Sequence, residues 1–313
     1  MRVLLAYDDS AGARKARDLV ADMNLPGGSV VTVATVLEGA NDVIGAMTGG
    51  FAQGEDAATE LVAELREMLS AAAEPIRARC RVDVQVLRGR PAPAVIAEAE
   101  LMKADLIVVG SRGHGPFASI MLGSVSTELV DHAPCPVLIA RTPQVRRIVI
   151  GTDGSDSAAS AIELVRGWPV LSSLPCAVVA VAPTTDTWAI AYGPAAVGHW
   201  PVGAEDVERD TFDHATRNAE VAAAALRDAG IEPTVEVRRG DAADQLIATA
   251  DAEEADLIVV GSRGLATWSR LLLGSVARKV VQHARQSVLV VRGSREMAGA
   301  ATAQPKVTAS SAG

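Results

Sequence analysis

Ten residues, ADLIVVGSRG, occupy positions 104–113 and return unchanged at 255–264. A chain that repeats at so long a period is built from copies of one folding unit, and the period sets the unit's size. LGSV recurs at 122–125 and 273–276, His-Ala at 132–133 and 283–284, and Arg-Gly at 88–89 and 239–240, each pair 151 residues apart. Near the start of each half the interval is 145: Asp8 in LLAYDDS matches Asp153 in VIGTDGS, and Val36 matches Val181. The second copy therefore has six more residues than the first between Val181 and Gly240. The 313 residues divide into expected domains at 1–142 and 146–293, with the polar linker Arg-Thr-Pro-Gln-Val-Arg at 141–146 between them. Residues 294–313, rich in Ala, Ser, Gly and Pro without apolar periodicity, have the composition of a disordered tail.

Within each copy β-branched runs alternate with helical patterns. Strands are expected at 3–7, 30–36, 82–87, 105–110 and 137–140, and in the second copy at 147–152, 177–182, 234–238, 257–260 and 287–291. Leu61, Val62, Leu65, Met68 and Leu69 fall at helical spacing, and 94–103 and 124–131 also read as helices. Regular strand–helix alternation means an α/β fold, a parallel sheet with helices on both faces. Only 3% of residues are aromatic, so the cores must be built from Val, Leu, Ile and Ala. In such sheets ligands bind at the carboxyl ends of the strands, where strand order reverses.

With 29 Lys and Arg against 38 Asp and Glu, the net charge of −9 argues against broad contact with a nucleic-acid backbone. Cys80, Cys135 and Cys176 stand far apart without a CxxC pair, which indicates neither a disulfide framework nor a structural zinc site. The first apolar run ends at Asp8, short of a signal-peptide core, and no run is long enough to span a bilayer, so the expectation is a soluble, cytoplasmic protein.

Gly110-Ser-Arg-Gly113, nine residues and Gly123-Ser124 follow an apolar strand and lead into a helix; Gly261-Ser-Arg-Gly264, nine residues and Gly274-Ser275 do the same. Glycines at a strand's end let backbone approach a ligand closely. A Gly-Ser at a helix start offers free N–H groups and the positive end of the helix dipole, which suit phosphate oxygens. Arg112 and Arg263 sit between the glycines, within reach of the same phosphates. No Gly-Lys-Ser or Gly-Lys-Thr occurs, so a Walker A loop is absent. The loose dinucleotide fingerprint Gly113-His-Gly115-Pro-Phe-Ala118 follows the fourth strand instead of the first, and the second copy lacks it. Asp8 and Asp153 end the first strand of each copy. Such a carboxylate can accept from a ribose hydroxyl or base amine, hold Mg²⁺, or join Ser10 and Ser155 in capping the helix that starts there.

An Asp after the first strand, a Val ending the second, and G-x-x-G, nine residues, G-S after the fourth resemble the ATP-binding branch of the universal stress protein family, in tandem over roughly 1–141 and 146–293. The resemblance implies two open parallel five-stranded sheets in the order 3-2-1-4-5, of the adenine nucleotide alpha hydrolase-like type, each with an ATP cleft, with or without Mg²⁺. Carried onto the first copy, it sets Ala6, Tyr7, Asp8 and the backbone of Val36 around adenine and ribose. Gly110, Arg112, Gly113, Gly123, Ser124, Val125 and Ser126 would hold ribose and phosphates. The second-copy counterparts are Gly151, Thr152, Asp153, Val181, Gly261, Arg263, Gly264, Gly274, Ser275, Val276 and Ala277. Two departures stand out. Asp9 puts a second negative charge where the family has Gly, and Ala277 lacks the hydroxyl of Ser126.

His114 is replaced by Leu265 in the other copy, so chemistry common to both sites does not require it. His132 and His283 recur at helix ends, where an imidazole suits the terminal carbonyls. No Ser, His and Asp set recurs as a triad, no HExxH motif appears, and there is no evident general base for rapid hydrolysis. Trp188, Tyr192 and Trp200 fall in a long loop at 183–204, a lid or an interface. The apolar last strands belong at sheet edges, which invite pairing. The resemblance implies that the domains associate there, as an intrachain pseudo-dimer able to form a homodimer as well. The expected function is that of an ATP-binding stress-response regulator acting through an unidentified protein partner. A sensor of AMP or cyclic AMP, or a slow ATP-hydrolysing enzyme of the same fold, stands as the alternative.

Overall fold

Alternating strands and helices make one continuous sheet. The structure, a computed structural model, describes residues 1–38, 51–113, 122–184, 204–264 and 273–293. His114 and the fingerprint-like stretch around it, Leu265, the aromatic residues Trp188, Tyr192 and Trp200, and the tail from 294 lie outside the described residues.

The first copy runs β1 (Arg2–Ala6), α1 (Ala11–Asp22), β2 (Val30–Leu37), α2 (Phe51–Arg77), β3 (Arg81–Arg88), α3 (Pro91–Leu101), β4 (Leu106–Gly110), α4 (Ser124–His132) and β5 (Val137–Ala140). The second runs β6 (Ile148–Gly151), α5 (Asp156–Gly167), α6 (Pro169–Ser172), β7 (Cys176–Ala182), α7 (Ala204–Arg227), β8 (Thr234–Arg239), α8 (Ala242–Ala252), β9 (Leu257–Gly261), α9 (Ser275–His283) and β10 (Ser287–Val291). The short α6 has no counterpart in the sequence expectation. It follows from Pro169, which suits the first turn of a helix because the N–H it lacks would be unpaired there.

Sheet order is β3-β2-β1-β4-β5-β10-β9-β6-β7-β8. Each half therefore has the expected order 3-2-1-4-5, and all pairs within a half are parallel. The two five-stranded units join into ten strands because β5 and β10 pair antiparallel, with Leu138 opposite Leu289, Ile139 opposite Val288 and Val137 opposite Val290. That seam fits the expected pseudo-dimer. Among the described residues, no helix is long and apolar enough to cross a membrane.

Alternation along each strand sends side chains to two apolar layers. Val3, Leu5, Leu138 and Leu289 face α1, α2, α5 and α7, whereas Leu4, Ile107, Ile139 and Val288 face α3, α4, α8 and α9. Each such Leu, Ile or Val, buried on folding, contributes about 1.5–3 kcal/mol before the entropy of ordering is subtracted. Near the amino ends of the strands Leu138, Leu289, Leu257 and Trp168 line a cavity of about 280 Å³ between the copies. The candidate site lies at the other end, where chain order reverses between β1 and β4 and again between β6 and β9.

Candidate functional site

β1 delivers Ala6 and Tyr7 to the carboxyl edge, where the Tyr7 N–H still donates to Ala34 O at 2.8 Å. The chain then turns. Asp8 Oδ1 accepts from Ser10 N at 3.1 Å, and Ser10 caps α1 by accepting from Ala13 N at 3.1 Å. The Ser10 hydroxyl also donates to Arg112 O at 3.0 Å and so ties this turn to the loop after β4. The second copy repeats the device: Ser155 N to Asp153 Oδ1 at 2.9 Å, Ala158 N to Ser155 Oγ at 3.3 Å and Ser155 Oγ to Arg263 O at 3.1 Å.

The close approach of α1 to β4 accounts for Gly110, since a Cβ there would lie 2.4 Å from Gly12 C. At Gly113 a Cβ would fall 2.5 Å from Asp8 Oδ2, and at Gly264 it would fall 2.7 Å from Asp153 Oδ2. Carboxylate and loop backbone are therefore in contact in both copies. Gly123 differs. Its φ of −66° is open to any residue, and a Cβ would come no nearer than 3.5 Å to Arg112 Cα and Ser111 O.

Gly123 N donates to Ser111 O at 3.0 Å and Gly274 N to Ser262 O at 2.7 Å, which sets each helix start against its loop. α1, α5 and α8 are capped by the side chains of Ser10, Ser155 and Asp241, whereas α4 and α9 start on glycine with no side-chain cap. The first-turn N–H groups of Ser124, Val125 and Ser126, and of Ser275, Val276 and Ala277, point along the dipole toward the loop. Such an arrangement can receive an anion, with Arg112 or Arg263 in the loop beside it. Ala6, Val36 and Val125 pack against one apolar layer, as do Val181 and Ala277 in the second copy, so an apolar floor adjoins each helix start.

Two expected residues take other places. Tyr7 follows Ala6, so its ring goes to the opposite layer, 4% exposed, and only its backbone remains on the site side. Ser126 is buried and donates its hydroxyl proton to Gly110 O at 2.7 Å, which braces the strand end instead of facing a ligand. Asp9, expected as a second charge beside the ligand, is engaged by Tyr7 Oη at 2.8 Å and by Arg14 Nε and Nη2 at 3.0 and 2.9 Å. Burial first, and then Asp9, pushes the Tyr7 phenol above its usual pKa, and Asp9 raises that of Arg14. Thr152 is buried, and Gly151 lies under α8, where a Cβ would meet Leu246 Cδ1 at 2.9 Å.

Residues not anticipated include Asn218 on α7. Its Nδ2 donates to Asp153 O at 2.8 Å, and its amide lies against Gly154, whose φ of +78° favours glycine and where a Cβ would lie 2.6 Å from Asn218 Oδ1. Ser157 is another: its hydroxyl donates to Arg263 O and accepts from Arg263 N at 3.2 Å, a clamp for which the first copy has only Gly12. Neither has a sequence signal, because both contacts join segments far apart in the chain. Among the described residues no group of three His, Cys, Asp or Glu is placed to hold a metal ion.

The profile of the Universal stress protein family matches residues 1–141 and 144–292. A universal stress protein of Mycobacterium tuberculosis is 33% identical over 212 residues, covering 65% of this chain and 67% of that one. One from Thermus aquaticus is 36% identical over 139 residues, 44% of this chain and 97% of its own length. Among solved structures, a universal stress protein from Archaeoglobus fulgidus superposes with a TM-score of 0.63 at 21% identity, covering 93% of this chain and 98% of that chain.

Proposed function

Since the chain belongs to the universal stress protein family, we propose that it is a cytoplasmic stress-response regulator that binds one ATP in each copy, within domains 1–142 and 146–293. The observation that carries this reading is that α4 and α9 each combine an uncapped glycine start with a loop held against an Asp carboxylate, in both copies. Phosphates sit on the N–H groups of Ser124 to Ser126 and of Ser275 to Ala277, with Arg112 and Arg263 as counter-charges, with or without Mg²⁺. Adenine lies on the floor of Ala6, Val36 and Val125, or of Val181 and Ala277. Asp8 and Asp153 accept from ribose. Nucleotide occupancy then alters what a protein partner meets at the carboxyl edge of the sheet.

Equilibrium dialysis of the full chain against labelled ATP, with AMP and cyclic AMP as competitors, tests this. Two ATP per chain are expected, and competition by AMP or cyclic AMP below the ATP concentration would reassign the ligand. Gly123→Ala, whose Cβ the folded chain accommodates, should weaken first-copy binding by about tenfold while stability changes by less than about 0.5 kcal/mol. Wild-type protein that retains no adenine nucleotide sinks the reading.

A further inference from the structure

Each strand at the seam is followed at once by an arginine, Arg141 after β5 and Arg292 after β10, and both side chains cross to the other copy. Arg292 Nη2 donates to Val130 O at 3.1 Å and to Asp131 O, carbonyls of the last turn of α4. Arg141 Nη2 donates to Val281 O in the last turn of α9, and its Nη1 to Gln286 O at 3.2 Å just beyond that helix. Val130 and Val281 are equivalent by the 151-residue repeat, as are the two arginines, so the exchange is reciprocal.

The helices so gripped are the two whose uncapped starts form the candidate anion sites. The last carbonyls of a helix have no partner within it, and a cation placed on them both satisfies them and complements the dipole. At 1.5 Å per residue each nine-residue helix is about 13 Å long, so a grip on its end fixes where its first N–H groups point. Each arginine is also tethered to its own loop, because Ala140 O accepts from Ser111 N at 3.2 Å and Val291 O from Ser262 N at 2.7 Å. Burial first, and then the nearby Arg112 guanidinium, lowers the pKa of Arg141 to about 10, which leaves the guanidinium charged near neutral pH and able to hold α9.

Resting on the nucleotide reading above, we propose that Arg292 and Arg141 are positioning residues exchanged between the copies, each orienting the phosphate helix of the other copy's site. Arg292 thus serves the site of Gly123 and Ser124, and Arg141 the site of Gly274 and Ser275.

The test titrates full-length protein with photoreactive azido-ATP and assigns labelled peptides to either copy by mass spectrometry. Arg292→Ala should raise the half-saturation of first-copy labelling about threefold to tenfold and leave the second copy within about twofold; Arg141→Ala should do the reverse. Arg292→Lys, which keeps a cation at the helix end, should recover most of the loss. Weakening confined to the arginine's own copy, or equal in both as a loosened fold would give, overturns the proposal. Hydrogen exchange without nucleotide reads the grip directly: Arg292→Ala should speed exchange in 128–133 and spare 279–284, and unchanged exchange overturns it. Wild-type protein that takes up no adenine nucleotide overturns the reading beneath the proposal, whereas binding without the crossed pattern overturns the proposal alone.

Discussion

In the first copy Ala6 ends β1 and Val95 stands on the helix above that layer; in the second, the equivalent residues are Gly151 and Leu246, and the leucine fills the space the glycine leaves. Gly12 and Ser157 make a similar contrast, since one permits the loop after β4 to approach and the other clamps the equivalent loop after β9. Asp9, held by Tyr7 and Arg14, is matched by Gly154 under Asn218. Even the bridge between the last two helices of each copy is reversed in sign. Arg90 meets Glu128 at 3.4 Å in the first copy, and Asp241 meets Lys279 at 3.1 Å in the second. The supports have diverged while the loop, the carboxylate and the glycine start have kept one geometry. That pattern is expected where the geometry is what matters and the means of holding it is free to vary.

The seam is the element the copies share, and breaking it should give the largest effect. Leu138 and Leu289 are register partners, 2% and 1% exposed. Lys at either position buries a charge without a built partner and should lower stability by about 3 kcal/mol or more in urea denaturation, by similar amounts for the two sites. Unchanged stability and unchanged exchange protection of β5 and β10 would show that the copies do not depend on this pairing.

The packing contrast is sharpened by Gly151→Ala, whose Cβ would press on Leu246 Cδ1 at 2.9 Å and Cδ2 at 3.1 Å. A cost of about 1–2 kcal/mol is expected, and Leu246→Val should remove most of it, with a coupling of about 1 kcal/mol. Strict additivity of the two changes would mean that the pair does not compensate.

The smallest effect distinguishes the copies by alkali. Burial first, and then Asp105, raises the Cys135 thiol from an ordinary 9.0 to about 12, while its second-copy equivalent, Gln286, does not titrate. Above the ordinary value the unfolded chain has lost this proton and the native chain still holds it. Stability is therefore full below about pH 9 and declines as pH rises toward 12, by about 1 kcal/mol at pH 10. Urea midpoints followed by circular dichroism at pH 8 and pH 10 should show this decline, and Cys135→Ala should flatten it. An equal decline in the variant would assign it elsewhere.

Much of this was legible before any coordinates. Strand positions came from β-branched runs and the tandem organisation from the repeat; strand order came through the family resemblance. The contact of Gly113 with Asp8 was not read from the sequence, because it joins the ends of β1 and β4, about a hundred residues apart in the chain. The turning of Tyr7 away from the site could have been read, because neighbours in a strand face opposite layers and Ala6 was already assigned. Ser126 was different. A hydroxyl in the first turn of a helix looks available to a ligand, and only the position of Gly110 O shows that its proton is spent. Asn218, Ser157 and the crossed arginines depend on segments 65 to 162 residues apart meeting in space, which no local periodicity encodes.

Antiparallel pairing of β5 with β10 also has a consequence for how the halves change over time. Two separate chains would meet at a rate set by their concentration and would pair like with like as readily as like with unlike. A covalent tether holds the partner at an effective concentration on the order of millimolar, whatever the dilution. Every first half is therefore matched with a second half, never with another of its own kind. A substitution on one side of the seam needs to suit only one partner, and under that condition two equivalent sites can drift into unequal ones.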